Sequence, residues 1–193
     1  LTDTQLYLVT PPAFAPAAFA SLLAQALDAI PVACVELRLA STDEGTWRTS
    51  IDALRPVAQD RGAAFLLAGR PDLALDTGCD GTALPDPALY PSARKTLGAG
   101  YIVGAWVGSS RHDAMVVGER GADFIGFTAD PEIVGWWAEL FEVPCVAGNG
   151  ITKDNAPLLA RVGADFLALD AAVWDHAAGA AAGLREIAAA LGR

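Results

Sequence analysis

The chain has 193 residues, 53% of them hydrophobic and 19% charged, with a formal net charge of -10. That length suits one domain spanning 1–193, and the apolar content excludes a disordered chain. The acidic excess argues against sequence-independent nucleic-acid binding, which needs Lys and Arg to displace counterions, and against docking on an anionic membrane.

Short apolar runs alternate with helical segments along the whole chain. The predicted strands are Gln5–Thr10, Ala33–Leu39, Ala63–Ala68, Cys79–Leu84, Tyr101–Val107, Asp123–Thr128, Pro144–Gly148 and Asp165–Asp170. Between them the spacing predicts helices over Pro16–Ala29, Trp47–Arg61, Pro71–Thr77, Ser92–Leu97, Arg111–Arg120, Glu132–Phe141 and Asn155–Val162, with a last one from about Trp174. Eight strands each followed by a helix is the count of a closed parallel (β/α)8 TIM barrel, an α/β fold. An open flavodoxin-like sheet needs only five such units and leaves three strands unexplained. A repeat supports the barrel: Arg61-Gly62-Ala63-Ala64-Phe65, Arg120-Gly121-Ala122-Asp123-Phe124 and Val162-Gly163-Ala164-Asp165-Phe166 each join a helix end to the next strand, and Gly78-Cys79-Asp80 is a weaker copy. The last two clear copies lie 42 residues apart, the length of two βα units.

No run of about 18 apolar residues offers a bilayer span. The chain does not open on a basic stretch followed by a long apolar core. Cys34, Cys79 and Cys145 are scattered and form no Cys-x-x-Cys pair, so they read as small buried hydrophobes of a reducing compartment. The expectation is a cytoplasmic protein.

In such a barrel the ligand site lies at the C-terminal ends of the strands. Alternation in the second strand places Cys34, Glu36 and Arg38 on the lumen face. Two charges there must be paired, because burying each alone costs several kcal/mol. They serve either as a structural pair or as ligand contacts. Arg70 follows the third strand and suits an anion; the alternative is a surface arginine. Asp86, between two prolines, is either a turn residue or a lone Mg²⁺ ligand. After the fifth strand, Ser109 or Ser110 caps a helix or touches ligand, and His112 is either a surface residue or a catalytic base. The strongest local signal is Gly148-Asn149-Gly150-Ile151-Thr152 with Asn155 behind it. Glycines directly after a strand expose backbone amides that cradle phosphate; an ordinary tight turn is the alternative.

Taken in order, these segments resemble the thiamine-phosphate synthase family, including its thiazole tautomerase branch. Leu6-Tyr7-Leu8-Val9-Thr10 is similar to its first strand, and Glu36-Leu37-Arg38 to its Gln/Glu-x-Arg-x-Lys strand. Arg70-Pro71-Asp72-Leu73-Ala74, Asp80-Gly81 and Gly121-Ala122-Asp123-Phe124-Ile125-Gly126-Phe127 resemble later motifs, and Gly148–Thr152 with Asn155-Ala156 resembles its phosphate loop. The resemblance implies a transferase joining a pyrimidine methyl diphosphate to a thiazole phosphate, with pyrophosphate leaving and Mg²⁺ assisting. It implies Arg38 and Arg70 on the pyrophosphate and the Gly148–Thr152 amides on the thiazole phosphate. Several family positions are replaced. Ala40 stands for the second-strand Lys, and Ala68-Gly69 for an Asn-Asp that supplies a metal carboxylate. Ala83 stands for a His, and Asp170-Ala171 for a phosphate-holding Ser. The loop after the sixth strand shrinks to Thr128–Pro131, without the family's Thr and Lys or the tautomerase histidine.

Three functional expectations follow. The first is a thiamine-pathway enzyme with impaired synthase turnover. The second is a non-catalytic or repurposed barrel binding a small phosphorylated metabolite. The third is an unrelated isomerase or epimerase using Glu36 and Asp170 as opposed carboxylates. Trp136, Trp137, Leu140 and Phe141 share one broad helix face, which suggests a homodimer contact.

Overall fold

The computed structural model describes residues 4–193. Its strands are β1 (Gln5–Val9), β2 (Cys34–Leu37), β3 (Ala64–Ala68), β4 (Gly81–Leu84), β5 (Ile102–Gly108), β6 (Ile125–Thr128), β7 (Cys145–Gly148) and β8 (Phe166–Leu169). They pair in parallel in sequence order, and β8 returns to β1 to close a barrel. Closure excludes the open flavodoxin-like sheet. The helices are α1 (Pro16–Ala29), α2 (Glu44–Gln59), α3 (Pro71–Thr77), α4 (Tyr90–Leu97), α5 (Arg111–Glu119), α6 (Pro131–Leu140), α7 (Ala156–Arg161), α8 (Ala171–Trp174) and α9 (Ala180–Ala190). None among the described residues is long and apolar enough to cross a membrane.

Alternation divides the strand side chains into two cores. Outward-facing Leu6, Leu8, Val35, Leu37, Phe65 and Leu67 pack against the helices with Leu23, Ile51, Leu54 and Leu184. Inward-facing Tyr7, Cys34, Leu66, Phe124 and Val146 fill the lumen. All three cysteines are buried and free, and burial pushes the Cys145 thiol up to about 12.

The repeated segments act at the base of the barrel. The aspartate before β4, β6 and β8 turns its carboxylate back onto the preceding strand: Asp80 accepts from the Phe65 amide at 2.7 Å, Asp123 from Val103 at 2.7 Å and Asp165 from Cys145 at 2.8 Å. Each aspartate amide also donates to the carbonyl of the residue it holds. A bidentate link therefore binds β3 to β4, β5 to β6 and β7 to β8.

Two expectations need correction. The last helix is two helices, parted at Asp175–Gly179, where Gly179 takes φ 88 before α9. The second helix starts earlier, at Glu44, because the Asp43 carboxylate caps the Thr46 amide at 2.7 Å. Part of the aromatic face of α6 is packed within the chain. Trp137 is 1% exposed, stacked on Phe141 at 4.0 Å, with its Nε1 donating to the Val143 carbonyl. Trp136 is half-buried beneath Arg111, whose guanidinium lies 4.8 Å from its ring. The chain turns back at Phe141 and folds the aromatic group on itself, leaving Leu140 as its exposed member.

Candidate active site

Glu36 points into the lumen, as alternation predicts, and it is fully buried. Its Oε1 accepts from Arg38 Nε at 3.0 Å and Nη2 at 2.8 Å. Its Oε2 accepts from the Tyr7 hydroxyl at 2.7 Å and from Trp106 Nε1 at 3.1 Å. Burial, and then the Glu36 charge, push the Tyr7 hydroxyl well above its ordinary pKa, so it stays a donor. Four donors offset the desolvation of the acid. They also close it to ligand, which removes Glu36 as a base for the isomerase reading.

Trp106 is the residue that sequence reasoning missed. Its ring lies along the inner wall of β6 and β7: a Cβ on Gly126 would meet it at 2.4 Å, and one on Gly148 at 2.7 Å. Both positions are therefore glycine. Inward glycines on consecutive strands were the available signal, since a strand glycine marks a close approach. Arg38 lies over the indole at 5.4 Å. Its Nη1 makes no hydrogen bond among the described residues, and the guanidinium borders a cleft of about 390 Å³ shared with Thr10, Pro12, Asp170, Trp174 and Asp175.

The turn after β7 is left-handed at two successive residues. Asn149 takes φ 60 and Gly150 φ 101, a left-handed stretch that asparagine and glycine tolerate. Asn155 braces it, accepting from the Thr152 amide at 2.8 Å and donating to the Gly150 carbonyl at 2.9 Å. Asn149 and Gly150 are exposed, and the amides of Asn149, Gly150 and Ile151 donate to no acceptor among the described residues. At the end of the adjacent β8, Asp170 turns its carboxylate onto the Ala171 amide at 2.7 Å, occupying a donor there.

The other predicted residues do not converge on this mouth. Arg70 pairs with Asp72 at 2.8 Å and lies over Trp47 at 5.6 Å. Its hydrogen bond holds the Asp72 carboxyl below the usual range. No described bond or ring contact links Arg70 to Arg38 or to Gly148–Thr152. Ser109 meets the Thr128 hydroxyl at 3.0 Å, and Ser110 caps α5 through the Asp113 amide at 3.2 Å. His112 is exposed in the first turn of α5. Asp86 caps a 3₁₀ turn by accepting from the Ala88 amide at 2.9 Å. Strands β3 and β4 end without a carboxylate, and the described residues form no cluster of three or more His, Cys, Asp or Glu able to hold a metal ion. Mg²⁺ is ordinarily held by one or two carboxylates together with substrate phosphates, and Asp86 is the carboxylate carried on the loop after β4.

The family model for thiamine monophosphate synthase matches residues 6–173. The chain belongs to that family. The curated thiamine-phosphate synthase of Rhodospirillum centenum is 50% identical over 200 residues, covering 96% of this chain and 97% of that protein. The one from Hyphomonas neptunium is 37% identical over 202 residues, covering 94% and 91%. Among solved structures, thiamine phosphate pyrophosphorylase from Pyrococcus furiosus superposes with a TM-score of 0.86 at 24% identity, covering 97% of this chain and 95% of that one, which supports the fold. Within the thiamine monophosphate synthase family, then, this chain keeps the barrel and the β7 turn while β3 and β4 end in small or apolar residues.

Proposed function

We propose that this protein serves thiamine biosynthesis by binding the phosphorylated thiazole precursor through the amides of Asn149, Gly150 and Ile151, and that its synthase turnover is slow. The observation that carries the binding is the braced turn after β7, whose amides have no acceptor among the described residues, in a chain of this family. Arg38, held flat by Glu36 and Trp106, offers a free guanidinium edge to the diphosphate partner. The slow turnover rests on a shortage of positive charge: a departing pyrophosphate develops charge that preorganised cations stabilise, and losing one such donor costs about 3 kcal/mol. Arg70 is committed to Asp72, and β3 ends in Ala68-Gly69 where the resemblance puts a metal carboxylate.

Calorimetry with thiazole phosphate and with its dephosphorylated alcohol tests the binding. The phosphorylated form binds at least tenfold more tightly; equal affinities refute the reading. Turnover with both precursors and Mg²⁺ is measured in parallel, and a rate near about 10 s⁻¹, common for enzymes, refutes the slow step. Binding without any product supports the second reading, a phosphate-metabolite-binding barrel that has lost catalysis. The same strand ends on β3 and β4, Ala68 and Leu84, without a carboxylate, favour it.

A further inference from the structure

The lumen holds a second space, separate from the mouth. Below the Tyr7–Glu36–Trp106 tier lies a cavity of about 270 Å³ at the N-terminal end of the barrel. Its walls are Tyr7, Cys34, Leu66, Phe124, Val146 and Phe166. Bulky branched residues ordinarily fill a barrel interior in layers. Here Ala64 occupies an inward position of the base, and the layer is left underfilled.

Among the described residues nothing charged is offered to this space. The Tyr7 hydroxyl is given to Glu36, and Asp123 at the rim turns its carboxylate to the Val103 amide and the Arg94 guanidinium. Burial pushes the Cys34 thiol well up, which keeps it neutral. Tyr7 and Phe124 meet edge to face at 6.2 Å, so the walls present ring faces and edges to an occupant.

We propose that this basal cavity is a binding site for a small neutral aromatic molecule of one or two fused rings, entering from the face opposite the mouth. Size sets the class: an apolar cavity of about 150 Å³ takes benzene, and this one, at about 270 Å³, takes a ring system of indole size. Gln5 at the rim is exposed, and its side chain makes no hydrogen bond among the described residues, so its amide can meet a ring N–H. Tyr7 is a wall of this cavity and a donor to Glu36, which places the occupant one side chain away from the groups that hold Arg38 and Trp106. The site is independent of what the mouth binds.

The test is a calorimetric titration of the full chain with indole, alongside ¹⁹F NMR with fluorobenzene. One saturable site per chain and a rise in Tm are expected. Ala64→Phe, which puts a ring into the space, lowers the affinity at least tenfold. Absence of saturable binding, or unchanged affinity in a folded Ala64→Phe protein, overturns the proposal. If that variant does not fold, wild-type crystals under xenon pressure decide: xenon in the basal cavity supports it, and a basal cavity without xenon overturns it.

Discussion

At the β2 end of the mouth both oxygens of Glu36 are met by Tyr7, Trp106 and Arg38, whereas at the β7 end the amides of Asn149, Gly150 and Ile151 meet no acceptor among the described residues. The first arrangement is saturated and buried; the second is unsatisfied, with Asn149 and Gly150 exposed. Both use polar groups at strand ends, yet satisfaction separates them. A buried acid with all its partners supports the fold, while free donors at the surface are available to a ligand.

Removing the acid breaks the saturated side hardest. Glu36→Ala leaves Arg38, Tyr7 and Trp106 without their acceptor and costs about 3–5 kcal/mol, read from urea unfolding. A loss below about 1 kcal/mol would make the lumen pair no more than a surface ion pair. Gly126→Ala forces the Trp106 ring away from a Cβ 2.4 Å distant, an overpacking cost of about 1–3 kcal/mol. Near-UV circular dichroism should register the displaced indole. Tyr7→Phe removes one donor to a charged acceptor, about 1.5–3 kcal/mol, and leaves thiazole phosphate affinity within twofold if the two sides are separate.

On the open side, Asp170→Ser keeps an oxygen for the Ala171 amide while removing a negative charge beside the turn. Phosphate affinity rises by up to about 1 kcal/mol at low salt, and the gain shrinks as salt is added. An unchanged affinity would separate Asp170 from the anion site. The smallest effect belongs to Asp72→Asn. The Arg70 hydrogen bond depresses the Asp72 carboxyl, so this pair stabilises the fold fully above the unfolded pKa of about 3.9 and loses that contribution as pH falls through the lower folded value. With the Asp72 side chain 60% exposed, the loss on substitution stays under about 1 kcal/mol, and stability becomes equal to wild type once the pH lies below the folded value.

The barrel was legible because each strand is a short apolar run bounded by glycine or proline, and because the Gly-Ala-Asp repeat marks strand entries. The inward turn of Glu36 and Arg38 followed from alternation alone. Their partners did not: Tyr7 and Trp106 stand 29 and 70 residues from Glu36, and only closure of the barrel brings them together. The β7 turn was readable because glycine content and backbone geometry are local. The partner of Arg70 was not read from sequence: its guanidinium meets the carboxylate of Asp72, two residues on. The break before α9 was hidden by the helix propensity of its alanines. Trp137 read as surface because periodicity identifies a face but does not say that Phe141 will fold back upon it.

The aspartates at the base carry one more consequence. Rivets join β3 to β4, β5 to β6 and β7 to β8, but the matching place before β2 is Ala33, whose amide reaches the Leu6 carbonyl with no carboxylate to answer it. Of the four consecutive pairs β1–β2, β3–β4, β5–β6 and β7–β8, three are thus fastened by a carboxylate and one, the β1–β2 seam, is plain. Amide hydrogen exchange should begin along that seam, and the first strand should peel before its riveted neighbours part.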